Sequence, residues 1–153
     1  MSLRSRFEKR EDQIEALLGQ KIIRGDRAVA EAIADIGDLV SFAPGHTIIE
    51  QGESDRSAYF LLAGKGQIIV NGVRLYPREA GNTVGEMSAI NPTIGRSATI
   101  EALEEVVAIK VDHDQLRTIG NANPELWRLL AQELASRIER SEERRVVQEC
   151  ATL

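Results

Sequence analysis

The distribution of glycine is the sequence feature that most constrains the fold. Eight of the 12 glycines lie between Gly45 and Gly95, and none follows Gly120. Glycine adopts the positive φ angles that tight turns require. Dense glycine among short β-branched segments therefore predicts many short strands, whereas the glycine-poor flanks are predicted to be helical. The fold class expected is α+β.

The central region carries the strand signals. The segments "LVSFA", "HTIIEQG", "AYFLLAG", "GQIIVNGVRL" and "VVAIKV" are short, rich in β-branched or aromatic residues, and separated by Gly, Pro, Asp or Asn. Asn71-Gly72 predicts a two-residue hairpin, because a type I′ turn needs positive φ at both positions. Repeated short strands with such turns predict an antiparallel β-roll of the jelly-roll kind.

The N-terminal flank predicts two helices, over residues 7–18 and 27–36. Apolar residues recur at helical spacing among charged residues in both segments. Asp26 is a suitable cap for the start of the second helix, and Gly37 for its end.

The C-terminal flank is also predicted to be helical. Asp112 can cap a short helix that runs through Leu116 and ends at Gly120. Asn123 then serves as the cap of a long helix that begins at Pro124 and continues beyond residue 140. One face of this helix carries an apolar stripe of Trp127, Leu130, Leu134 and Ile138.

The predicted organisation is a single domain in three parts. Residues 1–37 form an N-terminal helical segment, residues 38–111 form the roll, and residues 112–153 form C-terminal helices that act as a lid. A ligand-binding segment, here called the cassette, occupies residues 84–100 of the roll. We expect the domain to be the N-terminal part of a longer protein.

Charge and composition exclude several functions. A net charge of −5 gives no general attraction to nucleic acid or to an anionic membrane, so neither is an expected partner. Cys150 is the only cysteine, residues 1–20 lack the apolar core of a secretory signal, and no apolar run reaches the roughly 20 residues of a membrane span. These features predict a cytoplasmic protein. His46 and His113 are the only histidines and lie far apart, so neither a metal nor another cofactor is expected.

The cassette, "VGEMSAINPTIGRSATI", combines one carboxylate and one guanidinium with small residues. Arg96 has the planar fork that matches two phosphate oxygens, whereas Glu86 accepts hydrogen bonds only and suits a sugar hydroxyl. A short helix after Gly85 would offer free backbone N–H groups to the phosphate. The alternative is that Glu86 and Arg96 pair with each other at the surface. The candidate ligand-binding residues of the cassette are Gly85, Glu86, Met87, Ser88, Ala89, Arg96, Ser97 and Ala98.

The segment "GEMSAINPTIGRSAT" resembles the phosphate-binding cassette of the cyclic nucleotide-binding domain family. Two further segments, "GHTIIEQGESDRSAYFLLAGKGQIIVNG" and "NPELWRLLAQELASRI", are similar to the family's early roll and to the start of its long C-terminal helix. The resemblance covers roughly residues 38–145. It implies that Glu86 binds the ribose 2′-hydroxyl, that Arg96 and Ser97 bind the cyclic phosphate, and that the ligand is a 3′,5′-cyclic nucleotide.

In that family the long helix supplies most of the contacts to the base. The apolar stripe here becomes polar one turn after Ile138, at Ser141 and Arg145. These two residues are therefore candidates for base recognition. The alternative is that they belong to a solvated, charged end of the helix.

The N-terminal segment narrows the resemblance. "LRSRFEKREDQ" and "KIIRGDRAVAEAIADIGDLVSF" ahead of the roll resemble the N-terminal sensors of bacterial Pycsar TIR-type antiphage effectors. This resemblance implies a non-catalytic sensor, favouring cyclic UMP or a related pyrimidine, that activates a C-terminal effector such as a TIR NAD hydrolase. A homodimer or higher oligomer is expected. A cyclic AMP sensor of a transcription regulator or signalling protein, and a cupin-like enzyme, are the alternatives.

Overall fold

Two four-stranded antiparallel sheets enclose one apolar core in the computed structural model of the chain. The structure describes residues 2–91, 93 and 95–151, and it describes side chains only as far as residue 139. The first sheet has the order β1-β8-β3-β6 and the second has the order β2-β7-β4-β5. The strands are β1 (Asp38–Phe42), β2 (Thr47–Ile49), β3 (Ala58–Ala63), β4 (Lys65–Val70), β5 (Val73–Glu79), β6 (Thr83–Val84), β7 (Thr99–Ala102) and β8 (Val106–Val111).

The antiparallel roll predicted from the sequence is confirmed, and so is its hairpin signal. Strands β4 and β5 pair with Val70 opposite Val73, which leaves Asn71 and Gly72 as the two turn residues. Their φ angles are 51° and 80°, as a type I′ turn requires.

The first sheet is buried on both faces, which explains why its central strands are almost continuously apolar. Alternate residues of β3 point to opposite sides. Phe60 packs in a core shared with the helices, whereas Tyr59 and Leu61 pack in the core between the two sheets. The sheet therefore separates the helical layer from the interior of the roll.

Both flanks are helical, as predicted, although the first helix begins at Arg10 and Phe7 belongs to a separate 3₁₀ helix. The part of the chain that the structure describes contains a short 3₁₀ helix, Leu3–Phe7, and the α-helices α1 (Arg10–Leu18), α2 (Arg27–Ile36), α3 (Glu86–Ile90), α4 (His113–Ala122) and α5 (Pro124–Ala151). The Asp26 carboxylate accepts a hydrogen bond from the Val29 N–H at 3.3 Å and caps α2. Among the described helices, none has the length and apolar character needed to cross a membrane.

Two details of the α4–α5 junction differ from expectation. Gly120 does not end α4, which continues to Ala122. Its lack of a side chain instead makes room for the Trp127 indole of α5, since a Cβ at Gly120 would lie only 2.2 Å from the indole Cε2. The second difference concerns Asn123, the expected cap of α5. Its side-chain amide donates to the Ile119 carbonyl of α4 instead, while its backbone carbonyl accepts from the Leu126 N–H of α5.

The apolar stripe of α5 is correct for its first three members only. Leu130 is buried, and Trp127 and Leu134 pack against the core of the helical layer. Ile138, the fourth member, is 60% exposed. At this turn the helix contacts the roll through Arg137 instead, which replaces apolar packing by an ionic contact.

We predict that Gly120→Ala lowers the free energy of unfolding by about 1–3 kcal/mol, because the added methyl group overpacks the Trp127 indole. Helix propensity alone would give the opposite sign, a gain of about 0.5–1 kcal/mol. Gly19→Ala is the matched control, since its Cβ would have 3.6 Å to the nearest atom, the Ala16 carbonyl oxygen. Urea unfolding of the wild-type protein and of both variants measures these changes. A Gly120→Ala variant as stable as the wild-type protein would contradict the proposed packing role of Gly120.

Candidate ligand-binding site

A cavity of about 200 Å³ opens beside α3, between the roll and α5. Its polar lining comes mainly from the cassette, together with one arginine of α5 and one of β5. Its apolar lining comes from side chains of β2, β4, β6 and β7 and from the cassette. The lining residues are Ile49, Ile68, Val70, Arg78, Thr83, Val84, Gly85, Glu86, Met87, Ser88, Arg96, Ser97, Ala98, Ile100 and Arg137.

Gly85 allows the backbone to approach the polar lining closely. It caps α3 with a φ of 80°, in the left-handed region that favours glycine. A Cβ at this position would lie 2.6 Å from Arg96 Nη1 and 2.7 Å from the Ser57 carbonyl oxygen. Any other residue at position 85 would therefore displace the Arg96 guanidinium.

Arg96 is 4% exposed, and its guanidinium is held from two sides. Nη1 donates to the Gly85 carbonyl at 2.9 Å, and Nη2 donates to the Ser57 carbonyl at 2.6 Å and to Asp55 Oδ2 at 3.1 Å. Nε is buried and has no hydrogen-bond partner among the residues that the structure describes. The three hydrogen bonds use three of the five guanidinium N–H groups and fix the side chain in place.

Asp55 supplies the negative charge that balances Arg96. Partial burial alone would raise the pKa of the Asp55 carboxyl, but hydrogen bonds from Arg96 and from the Ser57 N–H outweigh that effect and lower the pKa. The carboxylate therefore remains ionised at neutral pH.

Glu86 is the first residue of α3 and is only 3% exposed. Its carboxylate forms a salt bridge with Arg137 of α5. Arg137 Nη2 also donates to the Thr83 carbonyl at 3.2 Å, and its Nε lies 3.5 Å from Glu133 one turn earlier on the same helix. In the alternative considered from the sequence, Glu86 and Arg96 pair with each other. In the structure, the ion-pair partners recorded for them are instead Arg137 and Asp55.

The remaining cassette residues do not all face the cavity. Ser88, which is buried, and Ala98 and Ser97 line the cavity, as does Met87, which is 46% exposed. Ala89 is buried in the core of the helical layer and is not among the lining residues. The side chains of Ser141 and Arg145 lie outside the described residues.

Sequence reasoning missed Arg137 and Asp55. Arg137 lies in a helix segment with charges on several faces, and only its contact with Glu86 distinguishes it. Asp55 lies 41 residues before Arg96 in the chain, and the fold alone brings the two together. Neither contact can be predicted from the spacing of residues within one segment, because the partners lie far apart in the sequence.

The cavity suits a ligand that carries both an anionic group and a less polar group, because charged and apolar side chains both line it. An anionic group at the cassette would meet Arg96 and the N-terminal end of α3. A flat, less polar group would contact the wall made by Ile49, Ile68 and Val70. The family model for the cyclic nucleotide-binding domain matches residues 39–123. The chain belongs to the cyclic nucleotide-binding domain family.

Among known proteins, this cyclic nucleotide-binding domain is similar to Pycsar effector proteins. It is 39% identical over 126 residues to the Pycsar effector protein BcPycTIR of Burkholderia cepacia, covering 82% of this chain and 42% of that protein. It is 40% identical over 120 residues to RsmPycTIR of Rhodovulum sp., covering 76% of this chain and 46% of that protein. The domain thus spans less than half the length of these curated relatives.

Solved structures share the fold of the domain. The cAMP-bound PfPKA-R structure aligns with a TM-score of 0.77 and 20% identity, covering 89% of this chain and 47% of that one. The regulatory domain of Toxoplasma gondii PKA with cAMP aligns with a TM-score of 0.72 and 20% identity, covering 84% and 51%. At this level of identity the likeness establishes the antiparallel roll with its C-terminal helix.

We predict that Asp55→Asn lowers the free energy of unfolding at pH 7 by about 1–2 kcal/mol, a figure discounted for the partial exposure of Asp55. Because the folded-state pKa of Asp55 is lowered, its stabilising effect is complete above the unfolded value of about 3.9 and is lost as the pH falls through the folded value. The difference in the free energy of unfolding between the wild-type protein and Asp55→Asn should therefore become smaller as the pH falls.

Chemical unfolding of both proteins at pH 7 and at a series of lower pH values measures this difference in stability. The matched control is Asp35→Asn, which breaks the ion pair between Arg10 and Asp35, where both side chains are about half exposed. It should change stability less than Asp55→Asn at pH 7. If Asp55→Asn is as stable as the wild-type protein at pH 7, Asp55 does not hold Arg96 in place.

Proposed function

We propose that the domain is a sensor that binds a 3′,5′-cyclic nucleotide in the cavity beside α3. The observation that supports this most strongly is the buried Arg96 guanidinium, which lines the cavity and is fixed there by two carbonyls and Asp55. A buried charge held in this way is costly unless it is compensated, and an anionic ligand adds to the compensation.

The proposed roles divide the ligand between the two charges of the cassette. Arg96, Ser97 and the backbone N–H groups of residues 87–89 bind the cyclic phosphate, and Ala98 adds a backbone contact. Glu86 accepts a hydrogen bond from the ribose 2′-hydroxyl. The burial of the Ala89 side chain is compatible with its role, because only its backbone is invoked. Ser141 and Arg145 remain proposed base contacts.

Glu86 also offers a route from the ligand to α5. Its carboxylate holds Arg137, so a ribose hydroxyl that donates to Glu86 shares the same acceptor group. Ligand binding would alter the strength of this salt bridge and hence the position of α5. The C-terminal helices, residues 112–153, would then act as a lid whose equilibrium depends on the differential affinity of its two states.

The Pycsar TIR relatives support a narrower function. We propose that cyclic UMP or a related pyrimidine nucleotide is the ligand, and that binding activates a C-terminal effector such as a TIR NAD hydrolase in bacterial antiphage defence. The domain itself would have no catalytic role. It would act in the cytoplasm as a homodimer or higher oligomer. The similarity to four Pycsar effector proteins, at 32–40% identity, carries this proposal.

Cyclic AMP sensing is the second candidate. Two structures with the same fold contain cAMP, at TM-scores of 0.77 and 0.72. In that case the domain would belong to a transcription regulator or another signalling protein.

Calorimetric titration of the domain with 3′,5′-cyclic UMP, CMP, AMP and GMP tests the proposed function. We predict micromolar binding of cyclic UMP, consistent with a few charge-assisted hydrogen bonds after association costs, and binding of cyclic AMP weaker by about tenfold or more. Linear 5′-UMP is the matched control ligand, because it carries the same base without the cyclic phosphate. Tight binding of cyclic AMP alone would favour the second candidate, and binding of none of the four would overturn both.

A further inference from the structure

The loop after β2 is bonded to the C-terminal part of the cassette. The Gln51 N–H donates to Thr99 Oγ1 at 3.0 Å. The Gly52 N–H donates to the Arg96 carbonyl at 2.9 Å, and the Glu53 carbonyl accepts from the Arg96 N–H at 3.2 Å. These bonds fix the loop on both sides of the two cassette residues that line the cavity between Arg96 and Thr99.

The side chain of Gln51 reaches a second segment, the turn of the β4–β5 hairpin. Its Nε2 donates to Asn71 Oδ1 at 2.9 Å, and its Oε1 accepts from the Asn71 N–H at 3.0 Å. The side-chain amide therefore uses both a donor and its acceptor on one residue, 20 positions away in the chain. Gln51 thus connects the cassette to the hairpin turn by a contact that fixes orientation as well as distance.

The hairpin turn extends beyond the backbone pairing that holds β4 to β7. Strand β4 pairs with β7 as far as Ile69, which lies opposite Thr99. Val70 follows, lines the cavity, and leads directly into Asn71. The Gln51 amide continues the connection past the last paired residue, at the end of the hairpin that carries Val70. Its contact with Asn71 therefore bears on the position of part of the apolar wall.

Formation of the turn does not require Gln51. Asn71 and Gly72 have φ angles of 51° and 80°, the conformation that an Asn-Gly pair adopts in a type I′ turn. The two side-chain bonds between Gln51 and Asn71 are exposed, and hydrogen bonds that compete with water contribute little to overall stability. The contact therefore has more effect on where the turn lies than on whether it forms.

We infer that Gln51 is a positioning residue for the ligand, because it holds the Val70 end of the apolar wall at a fixed distance from the cassette. Gln51 itself is not among the residues that line the cavity. A nucleotide whose phosphate binds the cassette and whose less polar part contacts the wall needs both surfaces in place at once. Preorganised surfaces lower the cost of such binding. The inference rests on the proposed cyclic nucleotide site and adds a residue that acts on the ligand through Val70.

The test is a double-mutant cycle on Gln51 and Asn71, measured by calorimetric titration with whichever of 3′,5′-cyclic UMP and 3′,5′-cyclic AMP binds the wild-type domain more tightly. We expect Gln51→Ala to lower the affinity about 3- to 10-fold, consistent with the loss of two hydrogen bonds that position the wall. Asn71→Gly keeps the turn and its N–H but removes Oδ1, so it should lower the affinity about two- to threefold. The double variant should bind like Gln51→Ala, because the pair acts as one unit.

The matched control is Gln13→Ala. It also removes a glutamine side-chain bond, which Gln13 donates to the Phe7 carbonyl at 2.9 Å in the N-terminal helical segment. Neither Gln13 nor Phe7 lines the cavity. This variant should therefore bind the nucleotide as the wild-type domain does.

Backbone amide NMR separates positioning from a general loss of stability. On saturation with the same nucleotide, the Ser97 and Ala98 signals should shift in the wild-type domain and in Gln51→Ala alike. The Val70 signal should shift in the wild-type domain but broaden in the variant, because its end of the hairpin then exchanges between positions in microseconds to milliseconds. A variant that is merely less stable would show no such difference between Val70 and the cassette.

The outcomes separate this inference from the function on which it depends. Unchanged affinity of Gln51→Ala, additive losses in the double variant, or an unaltered Val70 signal would overturn the positioning role while leaving cyclic nucleotide sensing intact. A wild-type domain that binds no cyclic nucleotide would overturn the proposed function, and the positioning role with it. If Gln51→Ala does not fold by circular dichroism, Asn71→Gly decides the matter, and its binding as tightly as the wild-type domain would overturn the role of the pair.

Discussion

The geometry of the site depends on how the roll holds the buried guanidinium of Arg96. A cation at 4% exposure needs nearby negative charge and hydrogen-bond acceptors, and two separate chain segments supply them. Asp55 and the Ser57 carbonyl come from the region before β3, and the Gly85 carbonyl comes from the start of α3. The absence of a side chain at Gly85 is what allows this contact. The contacts that hold Arg96 in place therefore come from the fold of the chain itself.

The second important contact connects the cassette to the C-terminal helix. Apolar packing holds α5 against the helical layer as far as Leu134, but Ile138 is exposed, and Arg137 provides the contact with Glu86. An ionic contact at a site that also offers an acceptor to a ligand is easier to change than apolar packing. In the proposed function, this contact couples ligand binding to movement of α5, and the direction is set by which state binds the ligand more tightly.

Local sequence signals predicted much of the fold and only part of the site. The Asn71-Gly72 turn and the Asp26 cap were predictable, because each depends on a few neighbouring residues. The continuation of α4 through Gly120 was not, since it depends on Trp127 packing from the next helix. Arg137 and Asp55 were missed for the same reason, as their partners are 51 and 41 residues away. The cassette itself was visible because its charges lie within a single short segment.

The most direct test of the account is whether Glu86 binds the ribose 2′-hydroxyl of a nucleotide held at the cassette. Calorimetry would compare 3′,5′-cyclic UMP with its 2′-deoxy form on the wild-type domain and on Glu86→Ala. We predict that loss of the hydroxyl weakens binding to the wild-type domain about tenfold or more, and binding to the variant less than twofold. An equal loss of affinity on both proteins would contradict the assignment of Glu86 to the ribose.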